Sequence, residues 1–482
     1  MTKSPLLGND GLPLYQQVET LIKSWVVEGT LVPGSKLPSI REMSRQLKVS
    51  ISTIIQSYSV LEAHGVIEAK PQSGYYLKAF SHDNYKEIKS TPLPNPRFIQ
   101  SKSRNLEFVR ACSNPDLIPL GSALIDHSLL PTEALQRSLA KVAREKKNEC
   151  MNYERLAGNF DLCLEISKRS MSMGCDISPY SIQITNGCLD AIHLSLVACT
   201  KPGDIVAVES PTFYGILRLL ESLGLQVLEL QTNSNTGVDL ESFEEKMKKI
   251  NIKAAIITPN FLNPIGSQMT DQDKEKLVQL CSKHNITIIE DDIYAELQFS
   301  GSRALSLKSF DKKDQIFFCS SFSKTVSPGY RIGWIVPPEK QLERIEMFKA
   351  STSLACNSAA QLAIADFLAN HNYERHLRKL RLTLSQTMHL ITMAIEKYFP
   401  AGTKVSRPKG GCLLWVEFPS KINTILLYEK MLKKKISIIP GTAFSSGDKY
   451  QNCIRINAGV LWGVEIENAL KIIGNEAQKM QN

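Results

Sequence analysis

Two hydrophobic periodicities divide the chain. In the first eighty residues apolar positions recur at helical spacing. Leu14, Val18, Leu21, Ile22, Trp25 and Val26 fall on one helical face, and Gly29 stops the run. Ser39 followed by Glu42 makes a capping box, so a second helix starts there with Ile40, Met43 and Leu47 inward. Lys48-Val-Ser50 reads as a turn, and Ser50 caps a third helix to about Ala63, with Ile51, Ile54, Ile55, Tyr58 and Leu61 inward. His64-Gly65 ends that helix, and residues 66–70 and 75–78 around Pro71-Gln-Ser-Gly74 read as a two-stranded wing. Two short helices joined by a tight turn and followed by a hairpin predict a winged helix-turn-helix over residues 1–80. Such a module lays its third helix in the DNA major groove and touches phosphates with its wing and helix starts. The candidate DNA contacts are Ser39 and Arg41, then Ser50, Ser52, Thr53 and Gln56, then Lys70, Gln72, Ser73 and Gly74 on the wing.

Residues 81–112 lack either period. They are polar and broken by prolines in Thr91-Pro-Leu-Pro-Asn-Pro96, which reads as a linker. From 113 to 482, short apolar runs (181–185, 205–208, 254–258, 286–290, 316–320 and 332–336) alternate with amphipathic helical stretches. That alternation predicts an α/β domain built on a mostly parallel sheet. A length of 482 residues agrees with two or three domains. No apolar run approaches the roughly 18 residues of a membrane helix, and no basic-then-apolar segment opens the chain, so a cytoplasmic protein is expected. The 11 cysteines are odd in number and include no C-x-x-C pair, which suits reduced, mostly buried thiols. The eight histidines show no ligand spacing, so no metal site is expected. The net charge of +9 permits a nucleic-acid partner without requiring one, because the basic runs near 246–253, 371–381 and 433–435 read as solvated helix faces. Within residues 31–80, six Lys or Arg oppose three Glu, so a single module would bind DNA weakly and a dimer reading two half-sites is expected.

The second region offers a set of groups suited to pyridoxal 5'-phosphate (PLP). This cofactor needs an amine for its aldehyde, an acid beside its pyridine nitrogen, donors to its phenolic oxygen and an anion site for its phosphate. Lys324 lies just past the run 316–320, where burial lowers a lysine's pKa and favours carbonyl chemistry. Asp291 ends the run 286–290 and is preferred as the acid, with Asp292 as its rival. Tyr294 and Asn263 can donate to the phenolic oxygen. Asn186, Gly187 and Cys188 follow one strand and open a helix, whose free N–H groups bind anions. Ser321 and Arg331 add a hydroxyl and a charge-assisted pair, and Ser323 is grouped with them. Phe213 is a candidate to stack on the ring, with Tyr214 as its rival and a core aromatic as the plainer alternative. Arg455 sits in a strand-like run and needs a carboxylate, supplied either by an effector or by a structural salt bridge.

Two resemblances extend this reading. Pro13-Leu-Tyr-Gln-Gln, Pro33-Gly-Ser-Lys-Leu-Pro-Ser-Ile-Arg-Glu42, Leu61-Glu-Ala-His-Gly65 and Gln72-Ser-Gly74 resemble the GntR family of bacterial regulators. One departure is Ile51, where many members carry Arg. Residues 115–480 resemble fold-type I aminotransferases, most specifically in Ser321-Phe-Ser-Lys324 with Arg331 beyond it. That likeness implies a mostly parallel seven-stranded sheet with a smaller α+β subdomain. It also implies that Lys324 forms the internal aldimine, that Asp291 pairs with the pyridinium and that Asn263 and Tyr294 bind the phenolic oxygen. Ser321 and Arg331 would hold the phosphate, and Arg455 a substrate carboxylate. Tyr153 would reach a partner subunit's phosphate, which implies a homodimer. Cys188 stands where a serine, alanine or other small residue is usual. Together the two parts resemble the MocR subfamily, which implies a PLP-dependent transcription regulator that senses an amino compound by aldimine exchange at Lys324 and acts on an operator in double-stranded DNA. A working aminotransferase with an accessory DNA-binding module is the alternative, and a sensor of PLP itself a third.

Overall fold

The computed structural model describes residues 13–27, 31, 35–63, 66–70, 73–77, 87–99, 104–299 and 301–481. The chain divides into two compact units, Met1–Tyr85 and Lys86–Asn482. Among the described residues no helix is long and apolar enough to cross a membrane.

The small unit holds three helices, α1 (Leu14–Val27), α2 (Ile40–Leu47) and α3 (Ile51–Ala63), then a hairpin of β1 (Ile67–Lys70) and β2 (Gly74–Leu77). The Ser39 hydroxyl accepts from the Glu42 N–H at 3.2 Å and starts α2. Lys48, with φ 53°, turns the chain out of α2 in the left-handed region. The strands pair antiparallel from Ile67 opposite Leu77 to Lys70 opposite Gly74. Val18, Ile22, Met43, Leu47, Ile54, Tyr58 and Leu61 close the core, and the Tyr58 hydroxyl donates to the Pro38 carbonyl at 2.8 Å. Three expected inward positions lie outside. Leu14, Ile51 and Ile55 are 46%, 49% and 46% exposed. At 100° per residue, Ile54, Ser57, Tyr58 and Leu61 already fill the inward stripe of α3, which leaves Ile51 and Ile55 on its outer side. Gly29, Pro33-Gly34, His64-Gly65, Pro71-Gln72 and Lys78 lie outside the described residues.

The large unit is built on one sheet in the order β3-β6-β5-β8-β9-β10-β11-β4, with β7 added on β6. The ranges are β3 Arg97–Phe98, β4 Gln183–Thr185, β5 Ile205–Ser210, β6 Gln226–Asn233, β7 Gly237–Val238, β8 Ile252–Ile257, β9 Thr287–Asp291, β10 Ile316–Ser321 and β11 Gly333–Val336. From β6 through β4 this is the expected seven-stranded sheet, and β3 and β7 are two-residue additions at one edge. The strands β6, β5, β8, β9 and β10 run parallel, while β11 runs antiparallel to both its neighbours. Helices cover both faces, so the inner strands are buried on both sides and read as near-continuous apolar runs. A second, antiparallel sheet in the order β12-β13-β15-β14 (Lys404–Val405, Leu413–Glu417, Cys453–Asn457 and Ile439–Pro440) forms the smaller α+β part. All 11 cysteines are free, eight of them buried.

The described part of residues 81–112 belongs to the large unit. Ser90 exchanges hydrogen bonds with Thr232, its N–H donating to the carbonyl at 2.9 Å and its hydroxyl accepting at 2.7 Å. β3 pairs antiparallel with β6, and the helix α4 (Arg104–Cys112) buries Phe108 edge-on against Tyr428 at 4.8 Å. The organising group is Glu229, buried within β6. Its carboxylate accepts from the Leu93 N–H (3.1 Å), the Ser210 hydroxyl (3.0 Å), the Ser445 hydroxyl (2.8 Å), and the Ser446 N–H and hydroxyl (2.7 and 3.0 Å). A proline-rich segment with no core of its own is thus tied down through its backbone. Replacing the acceptor would strand these donors at about 1–3 kcal/mol for each that water cannot reach. Glu229→Ala is therefore expected to destabilise the large unit by about 2 kcal/mol or more, read as a lower urea midpoint, and to speed amide exchange over residues 88–98. An unchanged midpoint and unchanged exchange would contradict this.

Candidate functional site

The carboxyl ends of the parallel strands open on one side of the large sheet, where open α/β sheets bind ligands. β10 ends at Ser321, whose hydroxyl accepts from the Ser323 N–H at 3.3 Å and starts a single 3-10 turn, Phe322–Lys324. The next residue is fixed from the helix Tyr373–Tyr398. The Tyr373 and Thr325 hydroxyls lie 2.7 Å apart, and His376 Nε2 is 2.7 Å from the Thr325 carbonyl. Lys324 Nζ donates to the Ala123 carbonyl at 2.7 Å and lies 5.7 Å from the centre of the Tyr294 ring. Burial pushes its ammonium below lysine's ordinary range, and the nearby Arg455 and Arg331 charges act in the same direction.

Asp291, the last residue of β9, accepts from the Cys188 thiol at 3.1 Å and the Ile293 N–H at 3.3 Å. Chiefly through burial, its pKa rises from 3.8 to about 6. Its rival Asp292 forms a buried ion pair with Arg303 and accepts from Asn260 at 3.2 Å, so it serves the scaffold. The Asn263 amide donates to the Tyr294 hydroxyl over a long 3.5 Å, and its oxygen accepts from Arg455 Nη1 at 3.0 Å. Arg455 is fully buried on β15. Its Nη2 donates to the Gly121 carbonyl at 2.7 Å, its Nε has no partner, and its guanidinium lies 5.1 Å from the Phe444 ring centre and 5.9 Å from that of Tyr214. Among the described residues it makes no ion pair, so a structural salt bridge does not account for it.

The opposite end suits an anion. Gly187, with φ 95°, precedes the helix Cys188–Cys199, and no side chain caps that start, which leaves its first N–H groups free. Arg331 Nη2 donates to the Asn186 carbonyl at 2.8 Å. A Cβ at position 187 would lie 2.4 Å from the same nitrogen, so only glycine admits this approach. Arg331 itself holds φ 54°, a left-handed conformation unusual for a residue with a Cβ. Ser321 and Ser323 are buried beside the turn. Phe213 packs toward the apolar cluster that contains Cys188, whereas its neighbour Tyr214, 4.7 Å away ring to ring, lies toward Arg455. Tyr153 is 86% exposed.

Several groups here escaped the sequence. The carbonyls of Gly121 and Ala123 hold Arg455 and Lys324, and a backbone acceptor leaves no residue-type signal. Cys412 is buried close enough to Lys324 for each to perturb the other's ionisation. Glu209 is buried at the end of β5. Its Oε2 accepts from the Thr258 N–H at 2.8 Å, its Oε1 has no partner, and burial pushes its pKa well up.

In the small unit, the Ser50 hydroxyl lies 2.8 Å from that of Ser52 and 2.7 Å from that of Thr53, and it accepts from the Thr53 N–H at 3.1 Å. Arg41, Ser52, Gln56, Lys70 and Gly74 are exposed and Ser39 caps α2. The Ser73 and Tyr76 hydroxyls lie 2.6 Å apart, and Lys70 sits 4.7 Å over the Tyr76 ring. Gln72 lies outside the described residues.

Comparison with known proteins gives the same division. Residues 115–473 match the family described as aminotransferase class I and II, and residues 14–77 match the bacterial regulatory proteins of the gntR family. The HTH-type transcriptional regulator YjiR of Escherichia coli (strain K12) is 34% identical over 95% of this chain and 98% of its own length. The regulator YdcR of the same organism is 35% identical over 96% and 99%. Among solved structures, the kynurenine aminotransferase of Pyrococcus horikoshii superposes with a TM-score of 0.74 at 26% identity, covering 80% of this chain and 96% of that one.

The raised pKa of buried Asp291 gives a prediction with a definite sign. An acid whose pKa rises from 3.8 to about 6 on folding loses stability as pH climbs through that interval, by up to about 3 kcal/mol. Cofactor-free Asp291→Asn should therefore be more stable than the parent at pH 7 and nearly equal to it at pH 3.5, as read from denaturant midpoints. Equal stability at both pH values would show that the carboxylate has found a counter-charge.

Proposed function

The chain belongs to the MocR type of GntR-family regulators, which join a gntR helix-turn-helix to an aminotransferase class I and II domain, and from that premise we propose that its large unit holds PLP at Lys324 and senses an amino compound there. One observation carries the reading. Around a single amine the fold gathers a buried carboxylate and a buried guanidinium that make no ion pair among the described residues. Uncompensated buried charges cost several kcal/mol each and persist where a ligand completes them. The donor set fits the cofactor, including the Gly187 approach that a side chain would block.

When bound, PLP supplies an aldehyde that condenses reversibly with amines and a ring that draws electrons from the attached carbon. The chain's own groups do the rest. Asp291 holds a proton on the ring nitrogen, and a cation placed there brings its pKa back down. Asn263 and Tyr294 donate to the phenolic oxygen. Asn186, Gly187 and Cys188 at the helix start, with Ser321, Ser323 and Arg331, hold the phosphate. Phe213 covers the ring. Tyr153, exposed on its own subunit, completes the phosphate site of a partner in a homodimer. Arg455 takes the carboxylate of an effector that has one.

A physical route leads from that carboxylate to the segment following the DNA module in sequence. Phe444 lies against Arg455, and the adjoining Ser445 and Ser446 donate to Glu229, which also holds Leu93. Effector binding shifts this element only in so far as the effector prefers one arrangement of it, and that preference is the coupling energy.

The small unit reads operator DNA, with Ser39, Arg41, Lys70, Gln72, Ser73 and Gly74 toward the backbone and Ser50, Ser52, Thr53 and Gln56 toward the groove. A second reading, a working aminotransferase, is favoured by the completeness of the set Lys324, Asp291, Tyr294 and Arg455. Sustained turnover above about 1 s⁻¹ between an amino acid and a keto acid would establish it.

Two measurements test the regulator. Purified protein given PLP should acquire a visible absorbance that amines shift, and Lys324→Ala should not. The protein should bind its own upstream DNA in preference to unrelated DNA. The logarithm of affinity should fall by roughly 0.9 per tenfold increase in salt for each phosphate contacted. No salt-sensitive preference for that DNA would contradict the regulatory reading.

A further inference from the structure

Two isoleucines occupy the outer side of α3. Ile51 and Ile55, one turn apart, are 49% and 46% exposed, while Ile54, Tyr58 and Leu61 of the same helix are wholly buried. The core of the small unit closes without them. Their exposed neighbours Ser52, Gln56 and Ser59 carry no charge. Hydrogen-bonding capacity at the helix start is already partly taken, because the Ser52 and Thr53 hydroxyls lie 2.8 and 2.7 Å from that of Ser50. The isoleucine side chains are therefore the largest uncommitted groups on this face.

The helix is the second of the helix-turn-helix in a region that matches the gntR family, and Ile51 is its first residue. Such a helix points its amino-terminal residues at base edges in the major groove. Guanine, cytosine and adenine present only donors and acceptors there, and thymine alone adds an apolar group, its 5-methyl. An isoleucine against a polar edge removes water and returns no hydrogen bond, which is unfavourable. Against a thymine methyl it removes water from two apolar groups at once, which is favourable. We propose that Ile51 and Ile55 each read a thymine 5-methyl group, so that the operator half-site carries thymines beneath the first turn and a half of α3, while Gln56 and the serines supply polar contacts beside them. The inference rests on the DNA-binding reading of the small unit and adds to it which base is chosen and by which side chains.

The test selects binding sites with the full-length protein from two random-sequence duplex libraries, one containing thymine and one containing deoxyuridine in its place. The thymine library should yield an enriched site that the deoxyuridine library does not. In titrations on that site, replacing a thymine read by α3 with deoxyuridine should weaken binding about fourfold, the worth of burying one such group. Ile51→Ala and Ile55→Ala should each abolish that difference at one position and leave the salt dependence unchanged, since neither touches a phosphate. An enriched site indifferent to deoxyuridine, or variants that keep the full difference, would overturn the assignment while leaving DNA binding intact. Variants that change only the association state of the protein would make this face a contact between copies and would also overturn it. A protein that enriches no sequence and shows no salt-sensitive binding would remove the DNA-binding reading as well.

Discussion

A buried charge without a partner is the constraint on which the large unit turns. Arg455 is fully removed from water and, among the described residues, hydrogen-bonded only to an amide oxygen and a backbone carbonyl, with Nε left over. Asp291 is buried with a thiol and one N–H for company. Lys324 donates to the Ala123 carbonyl and, among the described residues, to no carboxylate. Asp291 and Lys324 perturb each other's ionisation, yet no two of the three groups form an ion pair among the described residues. The surrounding polar groups show the opposite behaviour. Asp292 is paired with Arg303, and Glu229 accepts five hydrogen bonds. Asp292 and Glu229 are thus satisfied within the fold, whereas Asp291 and Arg455 make no ion pair among the described residues.

That contrast ties stability to function. The apolar strands and the two-sided helix cover supply the free energy that lets Asp291 and Arg455 remain unpaired. A ligand that completes them would stabilise the folded chain by mass action, and the same linkage would let ligand occupancy bias the segment held by Glu229. The small unit follows the same logic on a smaller scale. Its core closes around Ile54, Tyr58 and Leu61, and Ile51 and Ile55 of the same helix are left outside it.

Much of this was legible in the sequence, because parallel strands buried on both faces are written as continuous apolar runs. The four parallel strands β5, β8, β9 and β10, the antiparallel β11 and the edge strand β4 are legible that way, to within a few residues. β6 was missed because Glu229 interrupts its apolar run, and nothing local says that a glutamate will be buried by donors from segments 136 and 217 residues away. The segment after the DNA module read as a tether because proline and polarity mark it so, yet its described backbone is anchored to that same glutamate. Ile51 and Ile55 read as core because α3 holds more apolar residues than one face can bury, and periodicity alone does not choose between overlapping stripes. In the pocket, residue types and their order along the chain pointed to Lys324, Asp291, Asn263, Tyr294, Arg331 and Arg455. The sequence prefers Asp291 to Asp292 but does not show that Arg303 pairs with Asp292, and the carbonyls of Gly121 and Ala123 have no signature at all.

The central claim is that one lysine among many is the attachment point. The most direct measurement is to add PLP to the intact protein, fix the linkage with borohydride, and map the modified peptide by mass spectrometry with and without excess amine. The account predicts one modified peptide, the one that contains Lys324, protected from fixation when an amine competes. Modification scattered over exposed lysines, or none at position 324, would contradict it.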